Sequence, residues 1–321
     1  MKNDLVKLGK DYQFLQENEK LKDKLCYLTY SGSVSYGTNT KDSDIDIRGV
    51  IKNSIEDILN NKELDSYEDS KTDTVIYGLR KFITLCKNCN PSVIELLATK
   101  ENHIIYINEA GKLLRDNIDI FLSKKAFVTF SGYAIQQLRR LENALAHDNY
   151  DENKKLEHIK KSIDSLIMVN EKEYKLAGQS MKFYIKNGEL YIDCDIKSMS
   201  LRKFNQINSD IHNMLRNYDK LNNRNKKKDD KHLYKHAMHL IRLYLTGIDI
   251  LSGNGVITYR EKDLDLLQSI RNQEVSLDYV FQLADKLESK IHTAYENTNL
   301  PDHVDENKIN ELILKIYNLR D

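Results

Sequence analysis

The sequence has few of the features that mark membrane, secreted or strongly basic proteins. No apolar run approaches the ~20 residues that cross a bilayer. The first 25 residues are charged throughout and lack the apolar core of a signal peptide. Net charge is absent, since 49 basic side chains balance 49 acidic ones, so any nucleic-acid contact would be a local patch. These absences predict a soluble cytoplasmic protein with no membrane partner.

Cysteine is scarce, and its pattern predicts neither disulfides nor a zinc site. Cys26 and Cys194 stand alone in apolar surroundings. Cys86 and Cys89 form a C-x-x-C pair, but no second ligand pair at zinc-site spacing accompanies it. The pair also lies at the end of a helix-like segment, whereas a thioredoxin-like motif needs a strand-to-helix junction. We therefore expect free thiols near a helix end.

The N-terminal part of the chain mixes helices and strands. A helix is expected over residues 1–25, followed by strands in KLCYLTYSGS, SDIDIRGVI and TDTVIYG. Further helices are expected in LRKFITLCKN and in NPSVIELLAT, where Asn90 would cap a helix that begins at Pro91. This mixture indicates an α/β or α+β domain, and the predicted fold class is α+β with a mixed sheet.

The remainder of the chain is predicted to be mostly helical. Helical apolar spacing occurs over residues 123–145 and 154–176, and a last helical block begins at residue 231. A β-hairpin is expected near residues 183–196, with its turn at Asn187 and Gly188. Residues 217–232 are charge-rich and predict a solvated connector. The predicted boundary divides residues 1–115 from residues 116–321.

A small-residue turn followed by alternating aspartates is the most informative stretch. SGSVSYG places Gly32 and Gly37 around Ser33, directly after an apolar strand. Glycines let the backbone approach a ligand, and the N–H groups and hydroxyls of such a turn can hold phosphate oxygens. On a strand, Asp44 and Asp46 would share one face and repel each other without a cation. The combination predicts a Mg²⁺–nucleotide site.

Neighbouring sequence separates this aspartate pair from similar patterns. Ile45 and Ile47 alternate with the aspartates and predict a half-buried strand, whereas Asp42 precedes it and is expected in a turn. Asp193 and Asp195 are also two residues apart on a predicted strand. They follow a hairpin rather than a Gly-Ser turn, so we interpret them as surface carboxylates.

The motif resembles that of nucleotidyltransferases of the DNA polymerase beta superfamily, in which a Gly-Ser turn precedes D-x-D. Further blocks are similar, in the same order, to the predicted RNA-repair-associated branch called RlaP. The similarity extends from about Tyr27 to Glu274. The similar blocks are YGTNTKDSDIDIRGV, DTVIYGLRKFITLCKNCNPSVIELL, FSGYAIQQLRRL, KHAMHLIRL and LLQSIRNQE.

This resemblance implies a nucleotidyltransferase domain over residues 1–115 and a mostly helical acceptor-selecting domain over residues 116–321. Asp44 and Asp46 would bind Mg²⁺ or Mn²⁺, which activates the attacking hydroxyl and neutralises the leaving pyrophosphate. Arg48 would serve either the nucleotide phosphates or an internal ion pair. The nucleotide-binding residues that the resemblance implies in this part are Gly32, Ser33, Tyr36, Gly37, Ser43 and Arg48.

A third carboxylate normally completes such a site as a catalytic and metal-binding residue. Asp73 is our prediction because it opens the strand-like run DTVIYG. Glu95 is the alternative, but NPSVIELL predicts a helix whose glutamate faces solvent or a structural partner.

A basic helix face is predicted late in the chain. Lys235, His239 and Arg242 share this face with His232 and His236, opposite an apolar stripe. The histidines have the chemistry of zinc ligands, but the neighbouring lysine and arginine would repel a cation. Two interpretations stay open, namely binding of nucleotide or acceptor phosphates and an ordinary solvated face.

The predicted reaction moves a nucleoside monophosphate from an NTP to an acceptor and releases pyrophosphate. RNA, such as a tRNA end, is the expected acceptor on the branch resemblance alone. Protein AMPylation, nucleotidylation of a small molecule and a non-catalytic nucleotide sensor of the same fold are the alternatives. The intact turn and aspartate pair count against the sensor.

Overall fold

The protein is described here by a computed structural model that covers most of the chain. The described residues are 8–41, 43–149, 156–157, 159–164, 167, 181–195, 197–221 and 230–319. They form two compact units. The first draws on Met1–Thr129, Leu245–Gln268 and Lys290–Asp321, and the second on Phe130–Tyr244 and Ser269–Ser289. The boundary expected between residues 115 and 116 stays a prediction.

A five-stranded mixed sheet forms the centre of the first unit. Its strands are β1 (Leu25–Ser31), β2 (Asp46–Ile51), β3 (Ser66–Asp69), β4 (Thr74–Gly78) and β5 (Ile104–Ile107). The strand order is β3-β4-β2-β1-β5. β2 and β4 run parallel, whereas the other neighbouring pairs are antiparallel. The mixed sheet, together with the helices that follow it, confirms the predicted α+β class.

Helices account for most of the remaining regular structure. In the described residues they are α1 (Phe14–Glu17), α2 (Gly32–Tyr36), α3 (Ile55–Leu59), α4 (Leu79–Lys87), α5 (Pro91–Leu97), α6 (Glu109–Asp116), α7 (Lys125–Asn149), α8 (Leu201–Leu221), α9 (Asp230–Leu251), α10 (Leu264–Arg271), α11 (Leu277–Asn297) and α12 (Glu306–Asn318). The predicted start of α5 is confirmed, because the Asn90 side chain accepts a hydrogen bond from the Ser92 N–H at 3.0 Å.

The core beneath the sheet explains why β1 and β2 form where they do. The run LCYLTYS is buried over its first five residues, as expected of a central strand rich in apolar side chains. β2 presents Ile47 and Ile51 to the same core as Leu28 of β1. Asp46 and Arg48 alternate with these residues and are only half-buried. The alternation places the polar residues of β2 on the face opposite this core.

Two sequence-based expectations for the first unit are wrong, and two of its strands were not predicted. The described part of residues 1–25 is not one continuous helix, because α1 ends at Glu17 and the chain then turns before β1. The Asn18 side chain accepts the Lys20 N–H at 2.9 Å, so local bonding competes with helix there. β3 and β5, which are short, were not predicted. The strand expected from residue 43 begins only at Asp46.

The second unit combines helices with a hairpin. Strands β6 (Met181–Lys186) and β7 (Glu189–Cys194) pair antiparallel. Asn187 and Gly188 connect them with positive φ angles of 52° and 76°, which suits the predicted two-residue turn. Phe183 packs with Ile159 and Ile163 in a small core. Residues 159–164 are helical, as predicted, and the remainder of the predicted helix over residues 154–176 is described only at 156–157 and 167.

The charge-rich stretch over residues 217–232 is described at its two ends. Residues 217–221 belong to α8 and residues 230–232 belong to α9, so neither end is the connector that the sequence predicted. Residues 222–229 lie outside the described part of the chain.

All four cysteines are free thiols. Cys86 and Cys89 are buried at the end of α4, and burial raises the pKa of both thiols. Within the described ranges, no helix combines the length and the apolar composition needed to cross a membrane.

Candidate functional site

The Gly-Ser turn is closed by its own small side chains. α2 begins directly after β1, and the Ser35 hydroxyl donates to the Gly32 carbonyl at 2.9 Å. The Thr38 N–H donates to the Ser33 carbonyl at 2.9 Å. Gly37 ends the helix in the left-handed region with φ 74°. The sequence therefore folds locally into a compact turn in which Ser33 is half-buried.

The carboxylate of Asp46 lies directly against this turn. Asp46 is the first residue of β2 and pairs across the sheet with Ser31, the last residue of β1. A Cβ atom on Gly32 would lie 1.9 Å from Asp46 Oδ2. Gly32 also has φ 58°, which side chains rarely adopt. Glycine thus permits the close approach, and the two halves of the sequence motif meet at this point.

The first aspartate of the pair lies outside the strand. Asp44 is exposed, and Ile45 is 48% exposed although the sequence predicted a half-buried strand there. That expectation is wrong before Asp46, because Ile45 does not join the core that holds Ile47. Strand alternation therefore does not fix the direction of the Asp44 side chain.

The loop ahead of Asp44 is held by a local hydrogen bond. Ser43 Oγ accepts the Thr40 N–H at 2.8 Å and lies 3.2 Å from the Thr40 hydroxyl. The predicted nucleotide-binding residue Ser43 thus closes the loop in this structure. Asp42 lies outside the described residues.

Arg48 and Asp73 form an ion pair at the start of β4. Arg48 Nη2 lies 3.4 Å from Asp73 Oδ1, and Arg48 Nη1 donates to the carbonyls of Asp73 and Ile47. Asp73 has φ 44° and precedes the strand, so its side chain does not follow strand alternation. Its side chain is 61% exposed. Of the two interpretations of Arg48, the internal ion pair is the one present.

Glu95 is the most buried acidic residue near the turn among those described. It is 2% exposed, and the Tyr36 hydroxyl donates to Glu95 Oε2 at 3.1 Å. Glu95 therefore faces a structural partner rather than solvent. The same bond occupies the hydroxyl of Tyr36, which the resemblance implied as a nucleotide-binding residue and which is itself buried.

The donor set at the turn suits a hard cation that arrives with a nucleotide. Across the described ranges, no three acidic, histidine or cysteine side chains are grouped closely enough to hold a metal ion alone. The predicted trio of Asp44, Asp46 and Asp73 does not form such a group among the described residues, and Asp73 is paired with Arg48. Mg²⁺ is commonly held by one or two carboxylates together with substrate phosphates. The Asp46 carboxylate beside the turn, with Asp44 two residues earlier, fits that arrangement.

The basic residues predicted on the late helix belong to the second unit, on α9. Lys235 is exposed and His239 is half-buried, but Arg242 is only 4% exposed. The interpretation as an ordinary solvated face therefore does not hold at Arg242, because this turn of α9 lies among buried residues. The predicted apolar stripe is confirmed by the buried side chains Leu233, Ala237, Leu240 and Tyr244.

These residues form a basic cluster, which we define as Lys235, His236, His239, Arg242 and Arg271. Burial lowers the pKa of His239 well below 6.5, and the nearby charges of Arg242, Lys235, His236 and Arg271 lower it further. His239 is therefore neutral at neutral pH. His236 Nδ1 lies 2.9 Å from Gln137 Oε1. The Gly-Ser turn belongs to the first unit and the basic cluster to the second, and the two interpretations of the basic face stay open.

Sequence reasoning missed residues that contact the turn from far along the chain. Tyr259 lies against Gly37, and the Gln268 side chain donates to the Gly37 carbonyl at 3.0 Å. Gln268 occurs within the block LLQSIRNQE, yet no local pattern distinguishes it. Contacts over such sequence separations leave no periodic signal.

A Gly-Ser turn after a strand, with an aspartate of the next strand packed on it, characterises the nucleotidyltransferase class of fold. The model of the RNA repair pathway DNA polymerase beta family, RlaP, matches residues 6–173, just over half of the chain. The chain belongs to this family, which supports nucleotidyl transfer as its general class of activity. The matched range includes the turn and all three predicted catalytic aspartates, but not the basic cluster.

A solved structure of a nucleotidyltransferase-like protein from Exiguobacterium sibiricum 255-15 is also similar. It is 11% identical, the match covers 87% of this chain and 90% of that chain, and the TM-score is 0.25. No curated protein matches the sequence.

Proposed function

We propose that this protein is a metal-dependent nucleotidyltransferase that moves a nucleoside monophosphate from an NTP to an acceptor and releases pyrophosphate. The observation that carries the proposal is the Asp46 carboxylate against Gly32, where a Cβ atom would lie 1.9 Å from Oδ2. Carboxylate oxygens are hard ligands, and Mg²⁺ is commonly held by one or two carboxylates together with substrate phosphates. Family membership supports the same class of reaction.

In this proposal the turn holds the triphosphate and the aspartates hold the metal. Backbone N–H groups at the start of the turn, around Ser33, would donate to phosphate oxygens. Asp44 and Asp46 would bind Mg²⁺ or Mn²⁺. When bound, the metal lowers the pKa of the attacking hydroxyl and neutralises charge on the phosphates.

The acceptor hydroxyl attacks the α-phosphorus of the NTP. The new oxygen–phosphorus bond forms as the bond to the pyrophosphate oxygen breaks, and the hydroxyl proton passes to a base. We assign Asp73 this role, because its carboxylate is 61% exposed and therefore within reach of a substrate. Arg48 Nη2 lies 3.4 Å from this carboxylate and would help to orient it.

The basic cluster is proposed to bind phosphates that the turn does not hold. Its members include two arginines and one lysine, which bind phosphate through charge-assisted hydrogen bonds. Lys235 is exposed and therefore accessible to a ligand. The outer phosphates of the nucleotide and the phosphates of an acceptor have the same chemistry, so both are candidates.

We propose RNA as the acceptor, and its support is the RNA repair pathway in the description of the family. The test incubates the purified protein with each of the four NTPs, labelled at the α-phosphate, and separate fractions of RNA, protein and metabolites. We expect Mg²⁺-dependent labelling of the RNA fraction together with pyrophosphate release. Labelling of the protein or metabolite fraction would show that the acceptor belongs to that class, while the proposed reaction would still hold. NTP binding without pyrophosphate release in any fraction would instead identify a nucleotide sensor.

A further inference from the structure

A segment in the last quarter of the chain is held in place by buried contacts within the first unit. We call residues 258–268 the return segment. Thr258 is 1% exposed and donates to the Glu95 carbonyl at 2.7 Å. Arg260 is 6% exposed and pairs with Asp249 and Asp263, each at 2.7 Å. Because these anchors flank Tyr259, its backbone position is determined on both sides.

Tyr259 occupies the space beside Gly37 that a side chain would otherwise fill. A Cβ atom on Gly37 would lie 2.5 Å from Tyr259 Cε2 and 3.1 Å from its hydroxyl. Lys100 also contacts the Tyr259 ring. Its Nζ lies 3.6 Å from the ring centroid and 2.7 Å from Glu261 Oε1. A cation over the ring face adds to the packing energy and fixes the ring orientation.

The Gln268 side chain binds the backbone of the same glycine. Its Nε2 donates to the Gly37 carbonyl at 3.0 Å. The preceding residue, Tyr36, is held by its bond to Glu95. The last two residues of the Gly-Ser turn are thus fixed by three contacts from outside the turn, two of which come from the return segment.

We infer that Tyr259 and Gln268 are positioning residues for nucleotide binding, an inference that rests on the proposed function. The N–H groups of the turn point at phosphates only if the backbone from Ser33 to Thr38 keeps its conformation. Because glycine adopts other conformations readily, Gly37 keeps its conformation through the hydrogen bonds within the turn together with a restraint from outside it. The return segment supplies the restraint, although it lies outside residues 6–173 that match the family. The C-terminal part of the chain therefore completes the site.

Kinetics distinguishes positioning from catalysis. The turn holds the triphosphate in the ground state and the transition state alike, so loosening it weakens both. We expect Tyr259→Ala and Gln268→Ala to raise the KM for NTP about tenfold and to change kcat less than about threefold. Tyr259→Phe keeps the ring and should behave as the wild type. Tyr279→Ala, at a tyrosine that is 45% exposed elsewhere, is the matched control.

Amide hydrogen exchange provides a readout that needs no activity. Peptides that cover residues 32–38 should exchange about tenfold faster in Tyr259→Ala and Gln268→Ala, while peptides from β2 and β4 keep the wild-type rate. Tyr259→Phe and Tyr279→Ala should leave the turn unchanged. If Tyr259→Ala does not fold, Gln268→Ala and Tyr259→Leu give the same comparison.

The outcomes separate this inference from the proposed function. Faster exchange confined to the turn, together with a raised KM for NTP, supports both the inference and the proposed function. Wild-type protein that neither binds nor transfers any NTP would refute the proposed function, whereas faster exchange confined to residues 32–38 would still support the restraint. Unchanged exchange in the turn, exchange that rises equally throughout the chain, or a loss confined to kcat would overturn the inference.

Discussion

The sequence predicted phosphate binding at the Gly-Ser turn and left it as one of two interpretations of the basic helix face, yet the turn and the basic cluster carry opposite charges. At the turn, a half-buried carboxylate of Asp46 lies on the backbone at Gly32. In the basic cluster, positive side chains surround an imidazole whose pKa they lower. A triphosphate would be repelled by the first region without a cation, whereas the second attracts anions directly. Under the proposed function, phosphate binding at the turn would therefore depend on a metal, whereas phosphate binding at the basic cluster would not.

The largest expected effect concerns the third carboxylate of the turn region. If Asp73 accepts the acceptor proton, Asp73→Asn should lower the transfer rate by about 10²–10⁴-fold and leave NTP affinity nearly unchanged. Glu95→Gln should change the rate little, because Glu95 is buried against Tyr36. Single-turnover rates and equilibrium NTP binding measure the two quantities. Loss of transfer in Glu95→Gln with activity retained in Asp73→Asn would move the role to Glu95.

Gly32→Ala should separate the geometry of the turn from its charge. A left-handed alanine costs about 1–2 kcal/mol, and its Cβ atom would also displace the Asp46 carboxylate. We expect transfer to fall about 100-fold, in the range found when a positioned charge-stabilising group is lost. Gly253→Ala is the control, because Gly253 has φ 81° but nothing within 4 Å of the added atom. Equal losses of activity in both variants would contradict the close contact.

Exposed and buried members of the basic cluster should differ in how much they contribute to the free energy of unfolding. Lys235→Ala removes an exposed side chain and should change the free energy of unfolding by no more than ~0.5 kcal/mol. Arg242→Ala removes a side chain that is 4% exposed and should cost about 2 kcal/mol through lost packing. Denaturant unfolding measures both changes.

The same two variants test phosphate binding. We expect each to slow transfer at least about tenfold, which corresponds to about 1.4 kcal/mol of transition-state stabilisation. Lys286→Ala, on the exposed surface of the second unit, should keep the wild-type rate. Full activity in Lys235→Ala would mean that the exposed part of the face is only solvated.

The smallest effect is a pH dependence of stability in the second unit. The folded-state pKa of His239 lies below 6.5, so the unfolded chain takes up the proton first as the pH falls. Stability is therefore lost below about pH 6.5 and retained above it. We expect the melting temperature of His239→Gln to fall less than that of the wild type between about pH 7.5 and 5.5. Burial also lowers the pKa values of His103 and His292, so part of the decline should persist in His239→Gln.

The exposed His212 provides the control for that measurement. His212→Gln should leave the decline at the wild-type value. Identical declines in His239→Gln and the wild type would contradict the lowering of the His239 pKa by burial and by the charges of the basic cluster.

Local patterns explain what the sequence could predict. β1, the turn and most of β2 follow from one continuous stretch in which apolar residues, glycines and aspartates alternate. The cap at Asn90 and the hairpin turn at Asn187 and Gly188 are likewise local, and the structure contains both. The strand ahead of Asp46 failed because alternation alone does not show whether Ile45 finds a core.

Contacts between distant residues explain what the sequence could not predict. The short strands β3 and β5 are strands because they pair with β4 and β1, and four residues carry little periodic signal. Arg48 and Asp73 were each singled out, but their pairing depends on the parallel register of β2 and β4. Tyr259 reaches Gly37 only through the fold.

Metal-dependent nucleotide binding tests the central claim most directly. Calorimetric titration with NTP, with and without Mg²⁺, should show affinity in the wild type that the metal raises at least about tenfold, since the cation offsets repulsion between carboxylate and phosphate. The double variant Asp44→Asn, Asp46→Asn should stay folded and lose this dependence, and without metal it should be as stable as the wild type or slightly more stable. The matched pair Asp193→Asn, Asp195→Asn should behave as the wild type. Metal-dependent binding that survives in the first double variant, or its unfolding, would contradict a metal-binding role for the aspartates beside the turn.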